Sequence, residues 1–527
     1  MVAVPMLLAA VLGGIYLAFD PPSADLAAQT FRADFFEAHG FAVWSNSWYA
    51  GFHLPGYSLL YPPLGAWLGV RLVGVLAAVA AAGLFAALAQ DRFGERARVG
   101  VLWFAVGVTT NLLTGRITFG LGVAIGLGAL LALQRARPRL AAALAVLTSF
   151  ASPVAGLFLA LAGAAVAISR RPSLAGRGAW LGGAGVAAGA GAGIAALVLA
   201  FPVEGIEPFA VSAFVNVPLF AIVALVLIPG DERTLRWGVG LYAVLGILVF
   251  VFDNAAGGNV TRLGALFAGP VMALALWGRR PVALAVLALP LLWWQWAASV
   301  RDLNDAVGDP SVEASFYEPL LDELDTVTAG APTRVEVPPT RNRWEAKYVA
   351  EAYPLARGWL RQAESDDSSL FKFDRLTPDA YLAWLRERAV GYVAVPQDVD
   401  RDYLADDEAA LIETGLPYLR AVWENDDWRL YEVRREEVFV TSPGSSDDPA
   451  ADARIASLGP TSFELTADAP GDYLVRLHHT RYWEVSGGDA CLLRDGDWTV
   501  VRARSAGVIS VEASFGLDAL FGARDAC

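Results

Sequence analysis

Long apolar segments separated by short gaps that carry arginines constrain the fold of this chain more than any other feature. A helix that crosses a bilayer needs about 20 mostly apolar residues. We expect such helices near residues 2–19, 64–88, 99–113, 118–133, 140–150, 153–168, 179–200, 212–228, 237–252, 263–276 and 281–298. The fifth and sixth segments meet at Ser149–Pro153 and could form one kinked span. The sequence therefore predicts an α-helical polytopic membrane domain of about eleven spans over residues 1–300.

The distribution of arginines predicts the orientation of these spans, because short cytoplasmic loops are enriched in Lys and Arg. With a cytoplasmic N-terminus, the cytoplasmic gaps contain 13 arginines and the outer gaps contain three. Those three are Arg32, Arg116 and Arg262. We therefore expect a multi-pass protein of the plasma membrane with residues 301–527 outside the cytoplasm. Residues 2–19 could instead be a cleaved signal peptide, which would leave that outer placement unchanged.

A sharp change in charge near residue 300 predicts a second, water-soluble part. Residues 1–300 contain 17 Arg and 11 acids, for a net charge of +6, whereas residues 301–527 contain 21 Arg, two Lys and 43 acids, for −20. So acidic a surface excludes nucleic acid as a partner, because binding phosphates requires a positive field. We expect an α/β module over residues 301–441, a linker at Ser442–Asp452 and a β-sandwich over residues 453–527.

Local patterns within the soluble part predict individual elements. Arg343–Ala363 and Thr377–Arg388 are typical of amphipathic helices, and Thr377 followed by Pro378 is typical of a helix N-terminus. Short strands are expected at Arg334–Val337 and Gly391–Val395. The two cysteines, Cys491 and Cys527, could form a disulfide outside the cytoplasm, where disulfides are permitted, or remain as free thiols.

Residues 20–63, between the first two expected spans, form a long outer loop rich in polar and aromatic side chains. Trp and Tyr favour the membrane interface, so an interfacial loop without further function would explain this composition. Carboxylates and imidazoles beside stacking aromatic rings also suit the recognition of a sugar or a polar headgroup. The residues alone leave both interpretations open. The relevant side chains are Asp20, Asp25, Asp34, Glu37, His39, Trp44, Trp48, Tyr49, His53, Tyr57 and Tyr61.

Part of this loop resembles the C-type glycosyltransferase superfamily. The similarity lies in Asp25-Leu-Ala-Ala-Gln29, Trp44, Trp48-Tyr49-x-Gly51 and Tyr61-Pro62-Pro63. These residues are similar to the YfhO-like bacterial branch and to related large actinobacterial membrane proteins. Arg341–Glu345 and Leu355–Trp359 resemble further segments of the same proteins. The plan of about eleven spans followed by an outer C-terminal domain also matches that superfamily.

The resemblance implies transfer of a hexosyl or pentosyl group from a polyprenyl-phosphate donor to an envelope glycan or lipid acceptor. The acceptor hydroxyl must lose a proton as it attacks the anomeric carbon, and a carboxylate can accept that proton. Asp25 occupies the early acid position of the superfamily and is the first candidate for this base, with Asp34 second. A cation would stabilise the leaving phosphate, and Arg32, Arg116, Arg262 and Arg301 are unranked candidates. We expect substrate contacts from Gln29, Arg32, Trp48, Tyr49, His53, Tyr57 and Tyr61.

Two other functions remain compatible with the sequence. Several catalytic branches of the superfamily have a paired Asp-Glu or Asp-Asp at this site, and the pair is absent here. A non-catalytic envelope-assembly protein of the same fold is therefore the first alternative. A lipid or polysaccharide transporter is the second, although the expected spans contain almost no ionisable residue besides Arg71. No spacing of His, Cys, Asp or Glu is typical of a metal site, and a divalent metal ion at the loop remains an open option.

Overall fold

The protein divides into two compact units, which we call the helical unit and the mixed unit. The helical unit comprises Met1–Ala33 and Gly56–Val307, and the mixed unit comprises Asp34–Pro55 and Gly308–Cys527. This computed structural model describes residues 2–170, 177–202, 205–360, 362–363, 369–371, 375–434, 439–443, 450, 452–516, 518–520 and 527. The expected linker at residues 442–452 lies largely outside the described residues.

The helical unit consists of helices joined by short turns, and its second helix continues into the mixed unit. Short 3-10 helices lie at Gly94–Ala97 and Gly257–Val260. The α-helices are α1 Ala3–Phe19, α2 Ala24–His39, α3 Tyr61–Leu68, α4 Val70–Phe93, α5 Arg98–Gly107, α6 Thr110–Leu113, α7 Ile117–Gln134, α8 Pro138–Ala151, α9 Pro153–Ser169, α10 Arg177–Ala200, α11 Val211–Phe214, α12 Asn216–Leu227, α13 Arg233–Val251, α14 Thr261–Leu276 and α15 Pro281–Ala306.

Six helical stretches among the described residues are long and apolar enough to cross a membrane. They are Val70–Leu113, Ile117–Gln134, Gly178–Ala200, Arg233–Val251, Gly257–Leu276 and Pro281–Ala306. Together α1 and α2 would form a seventh candidate, but they are bent by 83°. Three further apolar helices, Pro138–Ala151, Pro153–Ser169 and Val211–Leu227, are shorter. Every predicted span falls in a helical region, although the spans near 64–88, 99–113 and 212–228 each contain two helices. The protein is accordingly a multi-pass membrane protein. The count of eleven and the orientation remain predictions.

Residues 20–63, expected as one long outer loop, contain the 16-residue helix α2 and the start of α3. Ala27, Phe31 and Phe35 recur every four residues and are all buried, which is the spacing of one helix face. The helix ends at Gly40, whose φ of +70° suits the left-handed position after a C-terminus. Trp and Tyr after residue 43 dominate the composition of this stretch and obscure the helical period before it.

Arg71, the one arginine inside an expected span, lies at the start of α4 and ties α4 to the end of α1. It forms an ion pair with Asp20 and donates hydrogen bonds to the Tyr16 hydroxyl (3.0 Å) and to the Pro21 carbonyl (2.8 Å). An arginine near a helix end can thus keep its charge satisfied at the boundary of an apolar segment. These contacts give Arg71 a structural role.

The mixed unit contains both α-helices and β-strands. Short 3-10 helices lie at Pro310–Val312, Ser369–Phe371 and Asp518–Leu520. The helices are α16 Ala314–Thr328, α17 Glu345–Tyr348, α18 Pro378–Glu387 and α19 Asp406–Glu413. The strands are β1 Val335–Glu336, β2 Tyr392–Pro396, β3 Leu419–Glu424, β4 Trp428–Val433, β5 Val440–Thr441, β6 Ala453–Leu458, β7 Ser462–Ala467, β8 Gly471–His478, β9 Trp483–Gly487, β10 Ala490–Asp495, β11 Trp498–Ala503 and β12 Gly507–Ala513.

The strands of the mixed unit form three four-stranded sheets. The first has the order β1-β2-β4-β3, with β1 and β2 parallel and the other neighbours antiparallel. Its strands and helices share a buried core that includes Tyr381, Leu385, Val393 and Ile412. The other two sheets have the orders β10-β11-β8-β5 and β6-β7-β12-β9, and all their pairings are antiparallel. Cys491, on β10, is disulfide-bonded to Cys527.

Two helix predictions for this region have different outcomes. The prediction that Thr377 caps a helix is confirmed, since its hydroxyl accepts a hydrogen bond from the amide of Ala380 and Pro378 is the first helical residue. The prediction of one helix over Arg343–Ala363 is wrong, because α17 ends at Tyr348 and turns, bends and a β-bridge at Leu355 follow it up to residue 360. Arg343 has a φ of +55° and lies outside α17, and Pro354 lacks the amide hydrogen that the interior of a helix requires. An amphipathic charge pattern alone did not reveal these interruptions.

Candidate functional site around Asp25

Asp25 lies in the first turn of α2, where the helix dipole favours a negative charge. Two arginines from distant parts of the sequence approach its carboxylate. Arg116 Nε lies 3.5 Å from Asp25 Oδ2, and Arg262 Nη2 lies 3.8 Å from the same oxygen. Arg116 precedes α7, and Arg262 is the second residue of α14. The helical unit thus places one carboxylate beside two guanidinium groups at the N-terminal ends of three helices.

These three side chains remain accessible while being mostly enclosed. The exposed fractions are 21% for Asp25, 25% for Arg116 and 15% for Arg262. The charges of Arg116 and Asp25 also act on Asp302, near the end of α15. A partly buried site strengthens every charge interaction within it, because solvent screening is reduced. Such a site can bind an anion that replaces water between the arginines.

Several polar atoms around Asp25 lack a hydrogen-bond partner among the described residues. They are Ser23 Oγ, Asp25 Oδ2, Gln29 Oε1, Asn111 Nδ2 and Arg116 Nε. Buried polar atoms are nearly always satisfied in folded proteins, so a group of exceptions at one place needs an explanation. A polar ligand or water molecules at the site would supply the missing partners. The group contains both donors and acceptors, as a sugar phosphate and a hydroxyl acceptor would require.

Four of the expected substrate-binding residues lie together next to Asp25 in the helical unit. Gln29, one helical turn after Asp25, donates to the Tyr57 hydroxyl at 3.2 Å. The Arg32 guanidinium lies 4.1 Å from the centre of the Tyr57 ring. The Tyr61 hydroxyl donates to the Gln29 carbonyl at 3.1 Å and is fully buried. Gln29 and Arg32 are buried and Tyr57 is half-buried, so the three form an enclosed polar group beside Asp25, which Tyr61 supports.

The other three expected residues belong to the mixed unit, as does Asp34. Asp34 lies nine residues after Asp25 on α2, about 13 Å along the helix axis, and forms an ion pair with Lys347 at 2.8 Å. Trp48 and Tyr49 are buried, and they donate to the carbonyls of Ala346 and Leu360. His53 Nε2 lies 3.1 Å from Thr480 Oγ1. In the structure Trp48 and Tyr49 are part of the interior packing of the mixed unit.

Sequence reasoning missed Ser23, Asn111 and Asp302 as members of this cluster. Asn111 occurs in the segment Thr109-Thr-Asn-Leu-Leu-Thr-Gly-Arg116, a polar interruption between two apolar stretches. Polar residues and broken helices at membrane depth occur where they line a cavity or are buried in protein. That polar interruption is the sequence feature that could have indicated Asn111 as a member of the cluster. Asp302 lies in a charged segment after the last expected span, and nothing in its local sequence distinguishes it.

Gly115 is required for the close approach of α2 to the turn before Arg116. Its φ is +68°, and a Cβ built on it would lie 2.5 Å from the Leu26 amide nitrogen and 2.6 Å from Ser23 Oγ. We expect Gly115→Ala to destabilise the protein by about 2 kcal/mol or more, because the backbone strain alone costs about 1–2 kcal/mol. The measurement is the midpoint of thermal unfolding of the purified protein in detergent.

Gly69→Ala is the matched control for this prediction. Gly69 has a φ of +87°, but a Cβ there would meet nothing within 4 Å. The control carries the strain of a positive φ without the clash, so it should lower the midpoint less than Gly115→Ala does. Equal midpoints for the two variants would show that the contact between Gly115 and the start of α2 contributes nothing.

Metal-binding residues do not cluster in this structure as they do at known metal sites. Among the described residues there is no group of three or more His, Cys, Asp or Glu side chains that could hold a metal ion. The polar atoms around Asp25 are carboxylate, amide, hydroxyl and guanidinium groups, and the two arginines already supply positive charge there.

Comparisons with known proteins give little for this chain. No protein-family model matches it, and no curated protein matches it. It is similar to two cryo-EM structures of a mutant of the arabinofuranosyltransferase AftD from mycobacteria, with 14% sequence identity in both cases. The TM-scores are 0.48 and 0.44, and the similarity covers 98% and 97% of this chain. The chain spans 60% and 59% of the length of those structures.

Proposed function

We propose that this protein is a membrane glycosyltransferase that moves a sugar from a polyprenyl-phosphate donor to a cell-envelope acceptor on the outer face of the plasma membrane. The observation that carries the proposal is the Asp25 carboxylate, 3.5 and 3.8 Å from two arginines and surrounded by unsatisfied polar atoms. A carboxylate beside paired cations combines a proton acceptor with a phosphate-binding group. Sugar transfer from a lipid phosphate needs both.

In the proposed reaction the acceptor hydroxyl attacks the anomeric carbon of the donor sugar. The bond between that carbon and the phosphate oxygen breaks, and polyprenyl phosphate leaves with the electron pair. The proton of the acceptor hydroxyl passes to the Asp25 carboxylate. Because phosphate is already a good leaving group, one carboxylate suffices, whereas glycoside hydrolysis normally uses two.

Arg116 and Arg262 would bind the phosphate of the donor and stabilise the charge that develops on it. Charge-assisted hydrogen bonds from guanidinium to phosphate are short and strong, and they gain strength in a partly buried site. Both arginines already oppose the charge of Asp25, and Arg116 also opposes that of Asp302, so phosphate binding would redistribute existing charge interactions. This assignment ranks Arg116 and Arg262 above Arg32 and Arg301 as phosphate ligands.

Gln29, Arg32 and Tyr57 would bind the sugar or the acceptor beside Asp25. Their hydrogen bond and ring contact orient an amide, a guanidinium and a phenol along one side of α2. Polar groups in fixed orientations next to an aromatic ring are suited to the hydroxyl groups of a hexosyl or pentosyl unit. The acceptor would be an envelope glycan or lipid, with the N-terminus of the protein in the cytoplasm and the mixed unit outside.

Arg262→Gln should weaken the binding of polyprenyl phosphate by roughly tenfold to a hundredfold, and Arg116→Gln should do the same. A hydrogen bond to a charged group contributes about 1.5–3 kcal/mol, and each variant loses such a bond together with a full charge. Binding of radiolabelled polyprenyl phosphate to the protein in nanodiscs measures the effect.

Arg279→Gln is the control for these variants. Arg279 lies elsewhere in the helical unit, in an exposed ion pair with Asp231 at 2.9 Å. Its replacement removes the same charge from the same unit and should leave the affinity for polyprenyl phosphate unchanged. If all three variants bound polyprenyl phosphate as the wild type does, the assignment of Arg116 and Arg262 as phosphate ligands would be refuted.

A further inference from the structure

The helical unit contains a large apolar cavity of about 960 Å³. Side chains and glycines of α4, α7, α9, α13 and α14 line it. Its walls are mainly aliphatic and aromatic, as at Phe85, Leu127, Phe158 and Phe267. An empty cavity of this size would be costly, because lost packing contacts destabilise a protein in proportion to the cavity volume. Lipid is the apolar material available to fill a cavity among membrane-spanning helices.

One end of the cavity is polar and carries positive charge. Gln134 ends α7, Arg170 follows α9 and Thr234 lies in the first turn of α13, so the three mark the same end of the bundle. Asp91 and Arg92, at the end of α4, also line this end.

The charged side chains that line this polar end are Asp91, Arg92 and Arg170. Arg92 pairs with Glu232, and Asp91 pairs with Arg135. Arg170 is exposed, and Arg137 and Arg233 directly adjoin lining residues. An anionic group would be attracted to this end, where Arg170 is the described lining arginine outside those two pairs.

The size of the cavity limits what can occupy it. A cavity of about 150 Å³ accommodates benzene, so a cavity roughly six times larger accommodates on the order of 40 carbon atoms. The two acyl chains of one membrane phospholipid contain a comparable number of carbon atoms. The apolar walls thus match the acyl chains of such a lipid, and the volume matches the number of carbon atoms in those chains. The cationic end matches an anionic headgroup.

We propose that this cavity binds one membrane glycerophospholipid, with its acyl chains between α4, α7, α9, α13 and α14 and an anionic headgroup beside Arg170. The proposal is independent of the Asp25 chemistry, because it assigns a resident lipid and not a donor substrate. The lipid would be a structural ligand that fills the space between the helices of the bundle.

Two glycines on α13 provide a matched test of occupancy. Gly238 lines the cavity, and a Cβ built on it meets only the Ala165 Cβ, at 3.8 Å, so a larger side chain can enter the cavity. Gly240 is two residues away, is not part of the lining, and a Cβ there meets nothing within 4 Å. Gly238→Phe should fill space that the lipid requires, whereas Gly240→Phe should leave that space unchanged.

Native mass spectrometry and lipid extraction of the full chain purified in mild detergent measure the bound lipid. We expect one phospholipid to remain with the wild type and with Gly240→Phe, and occupancy to fall about tenfold or more in Gly238→Phe. Retention of the lipid by Gly238→Phe, or the absence of bound phospholipid in the wild type, would overturn the proposal. Retention of polyprenyl phosphate in place of phospholipid would overturn it as well.

Arg170→Gln tests the headgroup separately and does not depend on the α13 variants folding. Delipidated protein is mixed with phosphatidylglycerol or phosphatidylcholine, and the bound fraction is measured. The wild type should prefer phosphatidylglycerol by about tenfold, since a charge-assisted contact contributes about 1.5–3 kcal/mol. Arg170→Gln should bind the two lipids equally. An unchanged preference in Arg170→Gln would contradict the placement of the headgroup.

Discussion

Asp25→Asn is expected to lower the rate of sugar transfer by roughly 10²- to 10⁴-fold, the usual contribution of a positioned general base. The amide keeps the size of the carboxylate but cannot accept the proton of the attacking hydroxyl. The two neighbouring arginines lose an ion-pair partner, so the phosphate of the donor should bind at least as tightly as before. The expected pattern is therefore a large loss of turnover with donor affinity retained.

Asp34→Asn is the control for this prediction, because Asp34 lies on the same helix and was the second candidate for the base. Its carboxylate pairs with Lys347 at 2.8 Å, and it is assigned to the mixed unit, away from the cluster around Asp25. Single-turnover transfer from a radiolabelled donor, measured beside donor affinity, separates chemistry from binding. Full activity of Asp25→Asn would remove Asp25 as the base, and equal losses in both variants would remove the distinction between the two carboxylates.

Arg357→Met is expected to destabilise the mixed unit by about 3–5 kcal/mol, the cost of removing one partner from a buried ion pair. Arg357 contacts the carboxylates of Glu336 and Glu408, and all three side chains are almost completely buried. Its guanidinium also lies 4.1 Å from the centre of the Phe371 ring. Without Arg357, the buried carboxylates of Glu336 and Glu408 would lose the guanidinium group that both of them contact.

Unfolding followed by tryptophan fluorescence measures this effect, and Arg420→Met is its control. Arg420 forms an exposed ion pair with Glu432, and exposed pairs contribute about 0–1 kcal/mol. Arg357→Met should lower the unfolding temperature of the mixed unit by roughly 10 °C, whereas Arg420→Met should lower it by no more than a few degrees. A shift for Arg357→Met as small as that for Arg420→Met would show that the buried network contributes little to stability.

Local patterns predicted those elements that local forces determine. The apolar spans coincide with helices, because about 20 apolar residues leave a chain few other structures in a bilayer. Thr377 and Pro378 predicted the start of α18, since capping depends on residues within one turn. The helical period of α2 was overlooked because aromatic residues after it dominated the composition. The predicted helix over Arg343–Ala363 failed because the positive φ at Arg343 is not visible in a charge pattern.

The composition of the candidate site could be predicted only in part. Asp25, Gln29, Arg32, Tyr57 and Tyr61 are close in sequence, and the structure places them together.

The two arginines beside Asp25 could not be ranked in advance, because Arg116 and Arg262 come from turns that only the folded bundle brings to α2. Trp48 and Tyr49 were expected to bind substrate because aromatic residues beside polar ones suit sugars. The same residues equally suit a core, and the core is where the structure places them. The expectation that they bind substrate stays a prediction.

The most direct test of the proposed function is whether the purified protein in nanodiscs releases polyprenyl phosphate from a radiolabelled polyprenyl-phosphate sugar when an acceptor is present. A panel of hexosyl and pentosyl donors covers the sugars that the proposal allows. The proposal predicts release by the wild type with at least one donor and no measurable release by Asp25→Asn. Saturable binding of the donors by both proteins without release would contradict a transferase, and it would favour an envelope-assembly protein that binds the lipid without turnover.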